Sequence, residues 1–245
     1  MQVLAVSLDL DDTLWPVAPA IDAAEAALDA WLRRHHAAVA QRWPIAAMRE
    51  LREGIARRHP QLAHDFSAQR RLTLAHAFAS CGLDETPVEA AYAVYFQARN
   101  QVTCYADAVP ALAALGARLP LVSLSNGNAD LGRIGLRQHF AHCISAREFG
   151  RAKPDAAIFH EACARLGIAP ANVLHVGDDP ELDVAGARRA GLRSAWINRT
   201  GAAPPAGAVA ADLEFPDLSG LVRWLDGAAA HGRPPTAAPR RRALH

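Results

Sequence analysis

The segment Leu4–Thr13, which reads LAVSLDLDDT, decides the fold of this chain. Its first half is a short, mainly apolar run, and a cluster of carboxylates follows immediately. A run of this kind predicts a buried strand that ends in a loop. Asp9 and Asp11 lie two positions apart, so their side chains leave the strand end on the same side. Because neighbouring carboxylates repel each other unless a cation or a shared proton compensates them, this strand end indicates a chemical site.

The second half of the chain, from about Asp107, alternates predicted strands with predicted helices. This alternation predicts parallel βαβ units in an α/β fold with a doubly wound, Rossmann-like sheet. Functional groups in such a sheet lie beyond the carboxyl ends of the strands. The strands are expected at 121–125, 143–145, 173–176 and 194–197, with an edge strand near 213–215. The helices are expected at 109–118, 128–139, 155–166, 181–190 and 218–225.

A long stretch after the first strand has helical periodicity and no convincing strand, at 23–40, 45–58, 65–79 and 87–102. It predicts an all-helical insertion at 16–105, which divides the α/β core into 1–15 and 106–226. Trp15 and Trp43 are expected to pack at the hinge of this insertion and in its interior. The last segment, 227–245, is rich in Ala, Pro and Arg and is predicted to be a disordered tail.

The composition is that of a soluble globular protein, with 245 residues and 51% hydrophobic residues. The net charge of +1 gives no argument for a nucleic-acid or membrane partner. No secretory signal and no apolar run of membrane-spanning length is expected. The four cysteines include no C-x-x-C pair, so they are expected to be reduced thiols in a cytoplasmic protein.

Lys153 is the only lysine among 26 basic residues. The rest are arginines, which suggests that Arg has replaced Lys wherever either serves. A compact, rotatable ammonium differs physically from a planar guanidinium. The surviving lysine therefore predicts a place where only Lys works.

Polar groups stand after four of the predicted strands. A carboxylate nucleophile, a second carboxylic acid, a hydroxyl, an ammonium and ligands for a hard cation together suit phosphoryl transfer. The four groups are Asp9–Thr13, Ser125–Gly127, Lys153-Pro154 and Gly177–Asp183.

These four motifs, in this order, resemble those of the haloacid dehalogenase (HAD) superfamily of hydrolases. The helical insertion lies between the first and second motifs, where this family places its helical cap. The resemblance implies that Asp9 is the nucleophile and Asp11 the general acid/base. It also implies a Mg²⁺ cofactor, bound by the carboxylates of Asp9 and Asp178 and by the backbone carbonyl of Asp11. Asp12 and Thr13 would shape the turn after the first strand.

The remaining motif residues would serve the phosphate and the catalytic groups. By the same resemblance, Ser125 and the Asn126 amide would hold the phosphate, and Lys153 would bridge the phosphate and the nucleophile. Asp183 would orient Lys153 or a metal-bound water. Asp179 would contact and support the residues of the fourth motif rather than the substrate or the metal.

Asp11 separates the reaction classes within this family. The dehalogenases that name it lack an acid two residues after the nucleophile, because a halide leaves without a proton. An alkoxide leaves poorly unless it is protonated, so Asp11 favours a phosphatase. A phosphomutase remains open as an alternative, and a phospho-accepting receiver domain is a remote one, since receivers carry no cap.

A narrower likeness involves the cap residues His64, Asp65 and Arg70, which are predicted to contact substrate. Together with Ser125–Asn128 and His175–Ala187, they are similar to a bacterial subgroup of phosphatases. These act on flavin mononucleotide (FMN) and on the phosphoribitylamino-uracil intermediate of riboflavin biosynthesis. The predicted partner is thus a small phosphorylated metabolite, with another nucleotide or sugar phosphate left open. The protein is expected to be a monomer or dimer.

Overall fold

A computed structural model describes residues 2–230 of the chain, with side chains through residue 227. Its centre is a six-stranded sheet in which all neighbouring strands are parallel. The strands are β1 (Ala5–Leu8), β2 (Leu121–Ser125), β3 (His142–Ser145), β4 (Val173–Gly177), β5 (Arg193–Ile197) and β6 (Leu213–Phe215). Their order is β3-β2-β1-β4-β5-β6, which confirms the predicted doubly wound α/β fold.

The two central neighbours β1 and β4 determine where the site forms. Every residue of β1, β2 and β4 is buried, as expected for inner strands of a parallel sheet with helices on both faces. Leu8 at the end of β1 pairs with Val176 of β4 and with Ser123 of β2. Since the strand order reverses between β1 and β4, the residues after these two strands meet at the switch point of the sheet.

Five helices between β1 and β2 form a cap with an apolar interior of its own. Leu28, Leu74, Phe78 and Tyr95 lie in this interior, separate from the clusters that cover the sheet. A separate apolar interior is typical of a subdomain. The cap helices are α1 (Val17–His35), α2 (Ala37–Arg42), α3 (Ile45–Arg58), α4 (Phe66–Ala79) and α5 (Val88–Arg99).

The sheet is covered on its two faces by helices that follow its strands. One apolar cluster includes Leu112 and Leu221, and the other includes Phe159 and Ile158. These helices are α6 (Ala108–Gly116), α7 (Leu131–Ile134), α8 (Ala146–Phe149), α9 (Ala156–Leu166), α10 (Gly186–Arg189) and α11 (Leu218–Ala230). Within residues 2–230, no helix is both long and apolar enough to cross a membrane.

Several predicted helices are shorter or broken in the structure. The helix predicted at 23–40 is divided because His36 leaves the helical conformation between α1 and α2. The one predicted at 128–139 is reduced to α7, since Gly135 takes a φ of 83° and ends it. The one predicted at 181–190 is a π-helical turn, Pro180–Ala185, followed by α10.

The prediction of a disordered tail is wrong for residues 227–230, which belong to α11. Leu218 and Leu221 bury the first turns of this helix against the sheet. Residues 231–245 of the predicted tail lie outside the described residues.

Gly186 provides a test of the packing between α10 and the Lys153-Pro154 loop. A Cβ atom at this position would lie 2.9 Å from two ring carbons of Phe159 and 3.2 Å from Cα of Pro154. We expect Gly186→Ala to lower the free energy of unfolding by about 1–3 kcal/mol, because the ring and the loop must both shift. Gly116→Ala is the control, since its Cβ would meet Leu121 at an ordinary 3.7 Å. Equal stability of the two variants in urea denaturation would contradict this packing account.

Candidate active site

Asp9 and Lys153 form the centre of the site at the switch point. Asp9 follows β1, its backbone amide donates to the carbonyl of Val176 at 2.9 Å, and its side chain is buried. Nζ of Lys153 donates to Oδ1 of Asp9, and it donates to Oδ1 of Asp183 at 2.6 Å. The one lysine of the chain is thus a buried counter-charge between two carboxylates.

The loop that carries Lys153 is held by the side chain of Asn126. Nδ2 of Asn126 donates to the carbonyl of Lys153 at 2.9 Å, and the amide of Lys153 donates to Oδ1 of Asn126 at 2.8 Å. This reciprocal pair occupies the Asn126 side chain. Asn126 therefore positions the lysine loop, a role that the sequence interpretation did not include.

Asp178 follows β4 and joins Asp9 and Asp183 in a carboxylate cluster. One oxygen from each of the three lies within 4.8 Å of the other two. Oγ1 of Thr13 lies 3.1 Å from Oδ1 of Asp178 and 3.4 Å from Oδ2 of Asp9, so its single hydroxyl proton is within reach of both members of the cluster. Nε1 of Trp196 donates to the backbone carbonyl of Asp178 at 2.7 Å and fixes the loop after β4.

The electrostatics divide the three carboxylates into two kinds. Burial raises the pKa of Asp9 well above its usual value, although the Lys153 charge opposes this. Burial, with the nearby Asp183 charge, raises the pKa of Asp178 to about 7. Burial acts in the same direction on Asp183, but the Lys153 charge and the hydrogen bond from His175 outweigh it and lower the pKa of Asp183. Asp183 is therefore the permanently charged partner of Lys153.

His175 is a buried member of this network that the sequence interpretation gave no role. Its Nε2 lies 3.0 Å from Oδ1 of Asp183, and its Nδ1 lies 3.0 Å from Oγ of Ser7. Burial lowers the pKa of His175, so the ring is neutral. A carboxylate only accepts, which assigns the proton to Nε2 and makes the Ser7 hydroxyl the donor to Nδ1. Its position in the buried strand β4 was the available signal.

The other acids of the fourth motif and the first turn have structural contacts. Asp179 donates its backbone amide to Asp183 at 3.0 Å, and its side chain accepts from Glu181 and Leu182 at 2.8 Å each, which caps the π-helical turn. Asp12 has a φ of 58° and accepts from the amide of Val17 at 2.9 Å. Asp12 thereby shapes the turn that leads into α1.

Asp11 lies outside the carboxylate cluster and is bound by residues of the hinge and the cap. Nη2 of Arg99 lies 2.6 and 2.7 Å from its two carboxylate oxygens, and Nε1 of Trp15 donates to Oδ1 at 2.8 Å. The packing expected of Trp15 is present, since its ring is fully buried, but its indole nitrogen also holds Asp11. Arg99 was missed, because an arginine at the end of a cap helix in an Arg-rich chain carries no distinguishing signal.

A cavity of about 260 Å³ opens beside Ser125 between the cap and the core. Its wall includes Phe96 from the cap and Asn128 and Arg147 from the core. Oγ of Ser125 accepts from the amide of Gly127 at 3.0 Å, which leaves the hydroxyl proton available for a ligand. The cavity gives a small molecule access to the β2 side of the site.

The cap residues predicted to contact substrate have different surroundings. Asp65 caps α4 by accepting from the amide of Ala68 at 2.8 Å, and it lies 3.8 Å from the Arg147 guanidinium on the core. His64 is half-buried in the preceding turn. Arg70 is buried inside the cap, 3.3 Å from Glu25 and stacked over a tyrosine ring. The contacts of Arg70 are therefore those of a cap-packing residue, in contrast to the predicted substrate contact.

Comparisons with known proteins agree with this geometry. The sequence profile of the haloacid dehalogenase-like hydrolases matches residues 3–191. The 5-amino-6-(5-phospho-D-ribitylamino)uracil phosphatase YigB of Escherichia coli is 28% identical over 200 residues, which span 80% of this chain and 84% of that protein. The phosphoserine phosphatase of Thermus thermophilus is 38% identical over 130 residues, which span 51% of this chain and 52% of that protein.

Among solved structures, the 2-haloacid dehalogenase from Pseudomonas syringae has a TM-score of 0.85 and 37% identity over 92% of this chain and 99% of that one. The HAD phosphatase from Thermococcus onnurineus has a TM-score of 0.65 and 26% identity over 92% of this chain and 99% of that one. The profile match spans all four motifs and the cap between them. The chain belongs to the haloacid dehalogenase-like hydrolases.

Proposed function

We propose that the protein is a Mg²⁺-dependent phosphomonoesterase that forms a phosphoaspartyl intermediate on Asp9. The observation that carries this proposal is the pair of carboxylates on one strand end. Asp9 is buried against Lys153, whereas Asp11 is held apart from the cluster by Arg99 and Trp15. This arrangement supports Asp9 as the nucleophile and Asp11 as the group that moves a proton.

The reaction follows from these positions in two displacements. In the first, an oxygen of Asp9 attacks phosphorus, the ester P–O bond breaks, and Asp11 gives its proton to the leaving oxygen. In the second, Asp11 removes a proton from water, the water oxygen attacks phosphorus, and the bond to Asp9 breaks. Inorganic phosphate leaves, and Asp9 is regenerated. Lys153 orients Asp9 throughout, and the Ser125 hydroxyl can donate to a phosphoryl oxygen.

The carboxylate cluster fits a divalent cation. The buried Asp9 and Asp183 and the half-buried Asp178 face one ammonium, so the three acids carry more negative charge, when ionised, than Lys153 offsets. Asp183 is committed to Lys153, His175 and the Asp179 amide, which leaves Asp9 and Asp178 to hold the ion. Carboxylate oxygens are the ligands that Mg²⁺ prefers. When bound, Mg²⁺ neutralises charge on the phosphoryl group.

The variant Asp178→Asn tests whether Asp178 binds the metal, separately from its effect on the stability of the fold. Because the folded-state pKa of Asp178 is raised to about 7, its stabilising contribution is present at low pH and is lost as pH rises toward that value. In EDTA, we expect Asp178→Asn to be more stable than the parent protein by about 1 kcal/mol or more at about pH 8. The gain should be smaller at about pH 5, in urea denaturation. Mg²⁺ should stabilise the parent protein alone, so equal stabilisation of both would contradict the metal assignment.

A second candidate is a 2-haloacid dehalogenase, because the similar structure from Pseudomonas syringae is named as one. A dehalogenase also needs a carboxylate nucleophile, and Asp9 with Lys153 supplies one. It needs neither a proton donor at Asp11 nor an excess of negative charge that takes a cation. Both features are present here, so the phosphatase is the stronger proposal.

The two activities are compared by assaying one preparation with p-nitrophenyl phosphate and with 2-chloropropionate. We expect phosphate release that requires Mg²⁺ and no chloride release above background. Asp9→Asn should lower phosphate release at least about a thousandfold, because the nucleophile is lost. Asp155→Asn is the control, since this exposed cap of α9 lies outside the site. Chloride release without phosphate release would establish the dehalogenase instead.

For the natural substrate we propose FMN or the ribitylaminouracil phosphate of riboflavin biosynthesis. The similarity to YigB supports this choice, as does the cavity beside Ser125 with an aromatic wall at Phe96. Phosphoserine is the alternative substrate, because the Thermus thermophilus relative is a phosphoserine phosphatase. Values of kcat/KM for these compounds rank them directly.

We further propose a cytoplasmic monomer or dimer without a nucleic-acid or membrane partner.

A further inference from the structure

Arg99 occupies an unusual place for a charged side chain. It is the last residue of α5, where the chain leaves the cap, and its side chain is 1% exposed. Its Nη2 group contacts both oxygens of Asp11, at 2.6 and 2.7 Å. Among residues 2–230, Asp11 is the acid that pairs with Arg99.

The remaining donors of Arg99 argue against a purely stabilising role. Its Nε and Nη1 groups are buried and have no hydrogen-bond partner among the described residues. Unsatisfied buried donors are costly, and a buried ion pair is weak support for stability in any case. The contact of Arg99 with both oxygens of Asp11 therefore calls for a functional reason.

The Ser125–Gly127 turn of the core also lies close to the Asp11 carboxyl group. A Cβ atom on Gly127 would lie 2.3 Å from Oδ2 of Asp11 and 3.2 Å from Oγ of Ser125. The carboxyl group therefore has Arg99 of the cap and the Ser125–Gly127 turn of the core as close neighbours. Trp15 adds a third constraint from the hinge.

We propose that Arg99 is a positioning residue that aims the Asp11 carboxyl group from the cap for the proton transfer to the leaving oxygen. This inference rests on the proposed phosphatase function. Because Arg99 ends a cap helix and Asp11 follows a core strand, the contact makes the aim of Asp11 depend on how the cap sits on the core. Loss of Arg99 removes the ion pair of the carboxyl group and leaves it the hydrogen bond from Trp15.

The dependence on leaving group tests this role. Phenolate needs a proton when it leaves phenyl phosphate, whereas dinitrophenolate leaves 2,4-dinitrophenyl phosphate without one. A residue that acts through Asp11 must therefore affect the first substrate and spare the second. The two substrates have similar shapes, and kcat/KM reports the steps through departure of the leaving group.

The experiment measures kcat/KM of both substrates for Arg99→Gln, Arg99→Lys, Asp11→Asn and the double variant Asp11→Asn/Arg99→Gln. We expect Arg99→Gln to lower the value for phenyl phosphate about tenfold or more, and the value for dinitrophenyl phosphate less than about threefold. Arg99→Lys should recover part of the loss. In the Asp11→Asn background, Arg99→Gln should have no further effect on phenyl phosphate.

Arg71→Gln is the control, because Arg71 is a cap arginine paired with Glu89 and remote from Asp11. Equal losses on both substrates, or losses that add to those of Asp11→Asn, would overturn the inference. If Arg99→Gln does not fold, Arg99→Lys decides by the same criterion. If the parent protein hydrolyses neither phosphate, the proposed function fails; if it hydrolyses both and Arg99→Gln shows no preference, only the role of Arg99 fails.

Discussion

Much of the site depends on one ion pair, the contact between the Lys153 ammonium and the Asp9 carboxylate. Both groups are buried, and each offsets part of the cost of burying the charge of the other. Around this pair the chain has placed two further acids. Asp183 also forms an ion pair with Lys153. Asp178 adds a third acid, so the single positive charge of Lys153 does not balance the cluster when all three acids are ionised. The resulting imbalance makes the site suited to a divalent cation and a phosphoryl group.

The parallel sheet brings these groups together from distant parts of the chain. Asp9 and Asp178 follow the two strands between which the strand order reverses, so the topology places them side by side. Lys153 belongs to neither strand and relies on its loop. Two hydrogen bonds between the backbone of Lys153 and the side chain of Asn126 hold that loop in place. The close packing of Gly186 against Pro154 also holds it. Precise placement of Lys153 is thus a property of several elements.

The sheet, the inserted cap and the members of the carboxylate cluster could be predicted from the sequence, because each leaves a local signal. Apolar runs mark the strands, and a single lysine stands out among arginines. Arg99 and His175 could not be assigned roles, since their function depends on partners 88 and 8 positions away in a folded arrangement. Arg70 was predicted to contact substrate, whereas its ion pair inside the cap involves Glu25, a partner 45 positions away that no local pattern indicates. The predicted helix lengths were wrong where a single residue, such as His36 or Gly135, ends the helix within a periodic pattern.

The central claim is that phosphorus becomes bonded to Asp9. Rapid acid quenching during turnover of a phosphomonoester, followed by borohydride reduction and peptide mass spectrometry, tests it directly. An aspartyl phosphate is reduced to homoserine, so we expect homoserine at position 9 in the presence of substrate and Mg²⁺. Turnover with an unmodified Asp9, or with homoserine at another aspartate, would contradict it.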